Sequence, residues 1–291
     1  MSHAFIAAHA SNFPVRRMCA LLKVSTSGYY DWLKREPSQR QQANEELMVA
    51  IRQEYQASRQ TYGSPRVHAA LKRQGINVGR KRVARLMQQN GLVAKHTRRR
   101  RPVTTQPDPG ARVAPNLLAQ DFTTSRPDEI WLADITYLET AEGWLYLAVV
   151  MDLFTRTIVG WSMADHLQAT LVEQALLMAF GRRYPLGDLV HHSDRGSQYT
   201  SALIQALLAD QHIQVSMSGV GNCYDNAPME SFFGRLKTEC ATAPFATRAA
   251  ARLIIFEHIE VWYNRQRLHS SLGYLSPATF ERHYYETAAV R

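Results

Sequence analysis

Cysteine is the first thing this 291-residue sequence has little of: Cys19, Cys223 and Cys240 lie far apart, with no CxxC pair. A disulfide framework or a cysteine-held zinc site is thereby disfavoured, and a reducing cytoplasm fits. No apolar run approaches the ~20 residues needed to span a membrane. The opening MSHAFIAAHASNF lacks a basic start followed by a sustained apolar segment, so no secretory signal is expected. Internal repeats and low-complexity tracts are also missing. Acidic residues are scarce in one half only. Residues 1–115 hold 6 Asp+Glu against 21 Lys+Arg, a net +15, whereas residues 116–291 hold 19 against 13, a net −6, giving the overall +9. Such asymmetry suggests a basic anchor for a polyanion joined to a different kind of domain. A solvated basic surface is the plain alternative. Phosphate backbones are the commonest partner for this pattern, and their binding weakens steeply with salt.

What is present along the basic half is helical. Residues 15–35 read as two short helices around a Val24-Ser25-Thr26 corner, with Ser25 or Ser27 as cap of the second. Residues 61–94 are sharper. Ser64-Pro65 reads as an N-cap followed by proline, Val67, Ala70 and Leu71 recur at helical spacing, and Gly75 stops the helix. A second helix beginning near Val78-Gly79 turns Val83, Leu86 and Met87 inward and ends at Asn90-Gly91. Its outward residues Arg80, Lys81, Arg82 and Arg85 put positive charge at the start of a would-be recognition helix; an ordinary helical hairpin with basic solvent residues fits the same pattern. The run Arg98, Arg99, Arg100 and Arg101 cannot all pack on a core, and the prolines after it resist regular structure, so this stretch reads as a linker able to lie along DNA.

From Asp128 the texture changes. EIWLADITYLE, GWLYLAVVMDL and TRTIVGWSMA read as three strands, HLQATLVEQALLMAFGRR as an amphipathic helix, DLVHHSD as a fourth strand, SQYTSALIQALLAD as a helix and IQVSMS as a fifth strand. Helices over 226–240 and through RAAARLIIFEHIEVWYNRQR complete an α/β sheet covered on both faces. Within this frame Asp134 occupies the middle of the first strand, on the same face as Leu132 and Thr136. A strand-centre aspartate has low β propensity and a desolvation cost, so it needs a partner. Asp194 follows a buried strand expected to pair beside the first, and Glu230 begins a helix after Pro228. Three acids separated by 59 and then 35 residues converge in this reading at one edge of the sheet. Phosphodiester displacement with two hard cations wants that arrangement: Mg²⁺ prefers oxygen ligands, and two ions ~3.5–4 Å apart stabilise the entering and leaving oxygens. Lys237, two turns after Glu230 on nearly the same helix face, is placed to hold a DNA phosphate, and Arg235 beside it is a second candidate contact.

WLADITYL, HHSDRGSQYTS and DNAPMESFFGRLKTE resemble the D, D, thirty-five, E signature of the retroviral-integrase-like core, and in particular the second-reading-frame product of IS-three family insertion-sequence transposases. YNRQRLHSSLGYLSPATF resembles that family's closing motif, and YGSPRVHAALKRQG with KRVARLMQQNGL its helix-turn-helix segment. The resemblance covers nearly the whole chain. It implies an RNase H-like fold and a catalytic and metal role for Asp134, Asp194 and Glu230. It also implies two Mg²⁺ ions per site, with Mn²⁺ as a substitute, and a basic DNA contact at Lys237. The reaction implied is strand cleavage by water followed by attack of the freed 3′-hydroxyl on another phosphodiester. The partners implied are terminal-repeat and target DNA, a homo-oligomer in the active complex, and fusion to an upstream reading-frame product. The zinc-binding His/Cys module of retroviral integrases is absent from the sequence.

The expected layout is therefore a helix-turn-helix region over 1–100, a basic, proline-rich linker over 101–124, an RNase H-like core with a five-stranded mixed sheet over 125–245, and a helical extension over 246–291. Two rivals stand beside it: a non-catalytic DNA-binding regulator, and a hydrolase of small phosphoesters using His191, His192 and Asp194. In the main reading the two histidines shape the site and Gln198 and Tyr199 either touch DNA or pack. Glu239 is a surface acid, and Tyr263, Leu272 and Tyr274 are packing residues. Arg265, Arg267 and His269 either contact DNA or knit the C-terminal segment to the core.

Overall fold

Residues 2–95, 114–184, 188–219 and 223–289 are described by a computed structural model. The arginines Arg98 to Arg101 fall outside the described residues. The basic half forms helices α1 (Ser2–His9), α2 (Val15–Leu21), α3 (Thr26–Lys34), α4 (Gln39–Ala57), α5 (Ser64–Arg73) and α6 (Arg80–Gln89). Ser25 is the cap of α3, accepting from the Gly28 N–H at 2.9 Å. The cap of α5 is Gly63 rather than Ser64, one residue earlier than the Ser-Pro signal suggests, with Pro65 in the first turn where its missing N–H costs nothing. Gly75 ends α5 at φ +82°, a left-handed conformation that a side chain resists. Helix α4 was not expected from the polar run QRQQANEELMVAIRQEYQA. Its signal is Leu47, Met48, Ile51 and Tyr55 at helical spacing, all buried with Val67, Leu71, Val83, Leu86 and Met87 in one three-helix core. Helices α1–α3 gather around a separate small core of Ile6, Met18, Cys19 and Tyr29.

The second half is built on strands β1 (Ile130–Thr140), β2 (Gly143–Asp152), β3 (Ile158–Ala164), β4 (Val190–Ser193) and β5 (Gln214–Met217), in the order β3-β2-β1-β4-β5. β1 pairs antiparallel with β2 and parallel with β4, so the sheet is mixed. One face carries α7 (Ala169–Arg182), the short α8 (Ser197–Thr200) and α9 (Ala202–Asp210), with Trp131, Ala133, Leu171, Leu176, Tyr199 and Ile204 in its core. The other carries α10 (Ala227–Cys240) and α11 (Arg248–Glu257) over Leu132, Leu138, Leu147 and Val149. Met229, Phe232, Phe233 and Leu236 are the apolar stripe that seats α10, each burial contributing about 1.5–3 kcal/mol. Helix α11 continues as a π-helical segment, His258–Gln266; the chain then turns through Ser270–Leu272 into α12 (Pro277–Ala288). Of the expected linker, residues 114–124 lie against the sheet: Leu118 is buried in the α10-side core, and Asn116 and Gln120 donate to Asp225 at 3.0 and 3.1 Å.

Candidate active site

Asp134 sits on β1 two residues after Leu132, whose side chain faces the α10 core, and opposite Val149 of β2. Asp194 follows the last residue of β4, the strand directly beside β1, and its Oδ1 accepts from the Gly196 N–H at 2.9 Å, turning the chain into α8. Glu230 stands in the first turn of α10, exposed, where the helix N-terminus favours an acid. The three are coupled. Half-buried Asp134 has its carboxyl pushed up to about 8, first by removal from water, then by the negative charge of Asp194, with Glu230 adding to it. The Ile135 N–H, donating to its Oδ1 at 2.7 Å, and Lys237 oppose the rise. Lys237 is half-buried, lies 5.0 Å from the centroid of the Tyr137 ring, and is held below the usual lysine range by burial.

The donor set suits a hard divalent cation in kind: oxygens only, with the charges of Asp194 and Glu230 acting on Asp134. Among the described residues no three His, Cys, Asp or Glu side chains stand together as a closed ligand cluster. Mg²⁺ does not require one, because it keeps several waters and takes one or two carboxylates plus substrate phosphates.

His192 is fixed between two hydroxyls, Ser216 Oγ at 2.8 Å and Ser218 Oγ at 3.1 Å, so it shapes the site. His191 is buried against Tyr199, ring centroids 6.0 Å apart, with its imidazole pushed down to about 4 by burial. With His192 spent on two serine hydroxyls and His191 buried against Tyr199, the small-phosphoester hydrolase loses the two imidazoles it needs beside Asp194. Tyr199 packs, its phenol pushed well up by burial and by Asp134 and Asp194, while Gln198 donates to the Leu167 carbonyl at 2.9 Å.

Glu239 is not a surface acid. It is 7% exposed and takes Arg267 in a two-pronged ion pair, Nε at 2.9 and 3.1 Å and Nη2 at 2.8 Å, plus the Trp262 Nε1–H at 2.9 Å. Arg267 and His269 accordingly knit the C-terminal segment into the molecule, while Arg265 is exposed. Tyr263 and Leu272 are buried and Tyr274 packs on the helical core. Of the recognition-helix candidates, Arg80, Lys81 and Arg85 are exposed, whereas Arg82 spends its Nε on Asn44 Oδ1 at 2.8 Å. Arg235 is exposed on α10.

Asp225 and Asn226, both inside DNAPMESFF, carry no signal of their own in the sequence beyond their place in that motif. Asp225 is 2% exposed and also accepts from the Gly219 N–H at 2.7 Å. Asn226 donates to the carbonyl of Ala133, the neighbour of Asp134, at 3.2 Å. Together they tie the start of α10 to β1 and to the segment entering the sheet.

A mixed five-stranded sheet covered by helices on both faces, with Asp134 on its central strand, Asp194 just past the end of the neighbouring strand and Glu230 on a covering helix, has the layout of an integrase core. Comparison with known proteins agrees. Integrase core domain families match residues 124–223 and 211–277, and an HTH-like domain family matches residues 42–101. The chain is 44% identical over 284 residues to the transposase InsF for insertion sequence IS3A of Escherichia coli (strain K12), covering 97% of this chain and 98% of that one. It is 45% identical over 273 residues to an uncharacterized 31 kDa protein of insertion element IS600 from Shigella sonnei, covering 94% and 100%. Among solved structures, the HTLV-2 integrase catalytic core domain in complex with magnesium aligns at 16% identity and a TM-score of 0.39, over 53% of this chain and 97% of that chain. The chain belongs to the IS3 family of insertion-sequence transposases, enzymes of DNA transposition.

Proposed function

We propose that Asp134, Asp194 and Glu230 are the catalytic acids, that they hold Mg²⁺, two ions per site with Mn²⁺ as a substitute, and that the DNA cut is the end of the insertion sequence. The observation that carries this reading is the raised proton affinity of Asp134 under the charges of Asp194 and Glu230. A carboxyl taken out of water keeps its proton or meets hydrogen-bond donors or a cation, and a divalent cation between the three acids would answer Asp134 and its two neighbours together. When bound, the metal supplies Lewis-acid activation of the attacking oxygen and charge neutralisation at the leaving one. The protein's own residues orient. Asp134 offers its oxygens from β1 and Asp194 from just past the end of the adjacent β4, Glu230 offers a third donor from a helix start, and Lys237 holds a DNA phosphate near them. Arg235, with Arg80, Lys81 and Arg85 of α6 and the run Arg98 to Arg101, grips the duplex backbone, while Arg82 is tied to Asn44. Water attacks a phosphodiester at each element end and frees a 3′-hydroxyl, which then attacks another phosphodiester. By family resemblance this first joins the ends into a circle and later inserts them into a target. The same resemblance supports a homo-oligomeric active complex, fusion to an upstream reading-frame product, and work in the bacterial cytoplasm. The helix-turn-helix region (1–100), linker (101–124), core (125–245) and extension (246–291) divide these tasks.

The test is purified protein with Mg²⁺ and an oligonucleotide duplex carrying the terminal repeat that flanks the coding frame. Asp134→Asn, Asp194→Asn and Glu230→Gln are each expected to abolish cleavage and joining, while affinity for the duplex persists. Activity retained in any one removes that residue from the site. A wild-type protein that binds the duplex yet never cuts or joins it with Mg²⁺ or Mn²⁺ removes the reading.

A further inference from the structure

One side-chain amide joins the start of α10 to β1. The parallel pairing of β1 with β4 stops at Leu132 and His192, so Ala133 lies one residue past the last pair. Asn226 Nδ2 donates to the Ala133 carbonyl at 3.2 Å, and that peptide group is the one that carries the Asp134 N–H. Asn226 is 7% exposed and stands at the N-cap position of α10, yet its side chain makes no hydrogen bond to that helix. An asparagine at an N-cap ordinarily turns its Oδ1 onto a backbone N–H of the first turn. Here Oδ1 has no partner among the described residues. The amide is spent on the neighbouring strand instead of on its own helix.

The tether is held from behind as well. Asp225, the preceding residue, takes Asn116, Gln120 and the Gly219 N–H, so the chain entering α10 cannot slide. Glu230 follows Asn226 by four residues, about 6 Å along the helix axis. The apolar seat of α10 beyond Glu230 is made by Phe232, Phe233 and Leu236. Those three side chains hold the helix on the sheet without help from Asn226. What the amide adds is the register of the first turn, where the acid stands.

We propose that Asn226 is a positioning residue: by gripping the peptide next to Asp134 it fixes where Glu230 stands relative to Asp134, and with it the affinity of the site for a divalent cation. This rests on the reading of Asp134 and Glu230 as metal-holding acids and deepens it. Asn226 acts through Glu230, as a residue one step behind a ligand does, and loss of such a support weakens metal binding roughly 10–100-fold.

The experiment follows Mn²⁺ binding by the full chain with the terminal-repeat duplex, read as loss of the free-ion electron paramagnetic resonance signal with duplex alone as the blank. The Mn²⁺ dependence of cleavage is measured beside it. Asn226→Ala is expected to raise the half-saturating Mn²⁺ roughly 10–100-fold in both readouts. Asn226→Ser keeps a good N-cap side chain but is too short to reach the Ala133 carbonyl, so it is expected to shift as far. A residue that only capped α10 would leave Asn226→Ser at the wild-type value. Thr247→Ala removes the cap of α11 and is expected to lower the thermal midpoint without moving the Mn²⁺ curve. In a Glu230→Gln background, Asn226→Ala is expected to weaken Mn²⁺ binding no further. A wild-type Mn²⁺ curve for Asn226→Ser overturns the proposal, as do further weakening in the Glu230→Gln background and an equal shift in Thr247→Ala. Should Asn226→Ala fail to fold, Asn226→Ser decides. A wild type that binds no more Mn²⁺ than the duplex alone, or whose binding survives both Asp134→Asn and Glu230→Gln, overturns instead the metal reading on which the tether depends.

Discussion

At the scale of single residues the molecule is organised around one uncomfortable carboxyl. Asp134 titrates near 8 in the folded chain against 3.8 for a free side chain, so in the metal-free protein it binds a proton that the unfolded chain has already released. Stability contributed by that proton is present below the unfolded pKa and is lost as pH rises from about 4 through about 8. The thermal midpoint of metal-free wild type is therefore expected to fall across this window relative to Asp134→Asn, and added Mg²⁺ is expected to reverse the fall. Parallel curves for the two proteins, with or without Mg²⁺, would dissociate the residue from any cation. Asp134 announces itself in the sequence because an acid within WLADITYL violates strand chemistry, whereas Asp194 and Glu230 become legible only through their spacing and the motifs around them. Glu239 was misread. Nothing local in KTEC shows that Arg267, 28 positions on, folds back to meet it.

Elements are where close approach governs. Gly160 of β3 lies so near α7 that an added Cβ would come within 2.1 Å of the Ala175 carbonyl oxygen and 2.9 Å of the Ala179 nitrogen. The clash is with helix backbone, which cannot swing aside, so Gly160→Ala is expected to cost about 1–3 kcal/mol or more in urea unfolding. An unchanged midpoint would mean that α7 can lift. Glu239→Ala strips the partner from a nearly fully buried arginine and is expected to cost about 3–5 kcal/mol in the same measurement. The sheet was readable because period-2 alternation and apolar runs name strands directly. Helix α4 was not, because its four buried side chains are diluted among glutamines and charges, and α12 falls within the helical extension expected over 246–291 without bounds of its own.

Across the whole molecule, several buried histidines are held neutral. His191 and His258 are pushed down to about 4 and His269 to about 2, burial being the largest cause in each. The unfolded chain takes up these protons first, so stability is full above about 6.5 and declines as pH falls from there through about 4. Urea midpoints between pH 7 and 4 are expected to drop steeply, and His258→Gln to flatten part of that slope; a flat wild-type profile would show that these imidazoles reach water in the folded state. The two halves of the chain are joined at this scale as well. Arg59 pairs with Glu257 and Arg66 with the Leu268 carbonyl, so the helical unit, though distant in sequence, is joined to the C-terminal segment.

The sequence by itself determined the order and kind of most elements, the split of charge between the halves, and the three acids with their spacing, because propensity, periodicity and charge act locally along the chain. Only the tertiary structure decided that Asp134 shares the field of Asp194 and Glu230, that Glu239 is the buried partner of Arg267, and that Arg66 reaches the Leu268 carbonyl. Those facts depend on which distant segments meet, and desolvation and charge coupling act through space, not along the backbone.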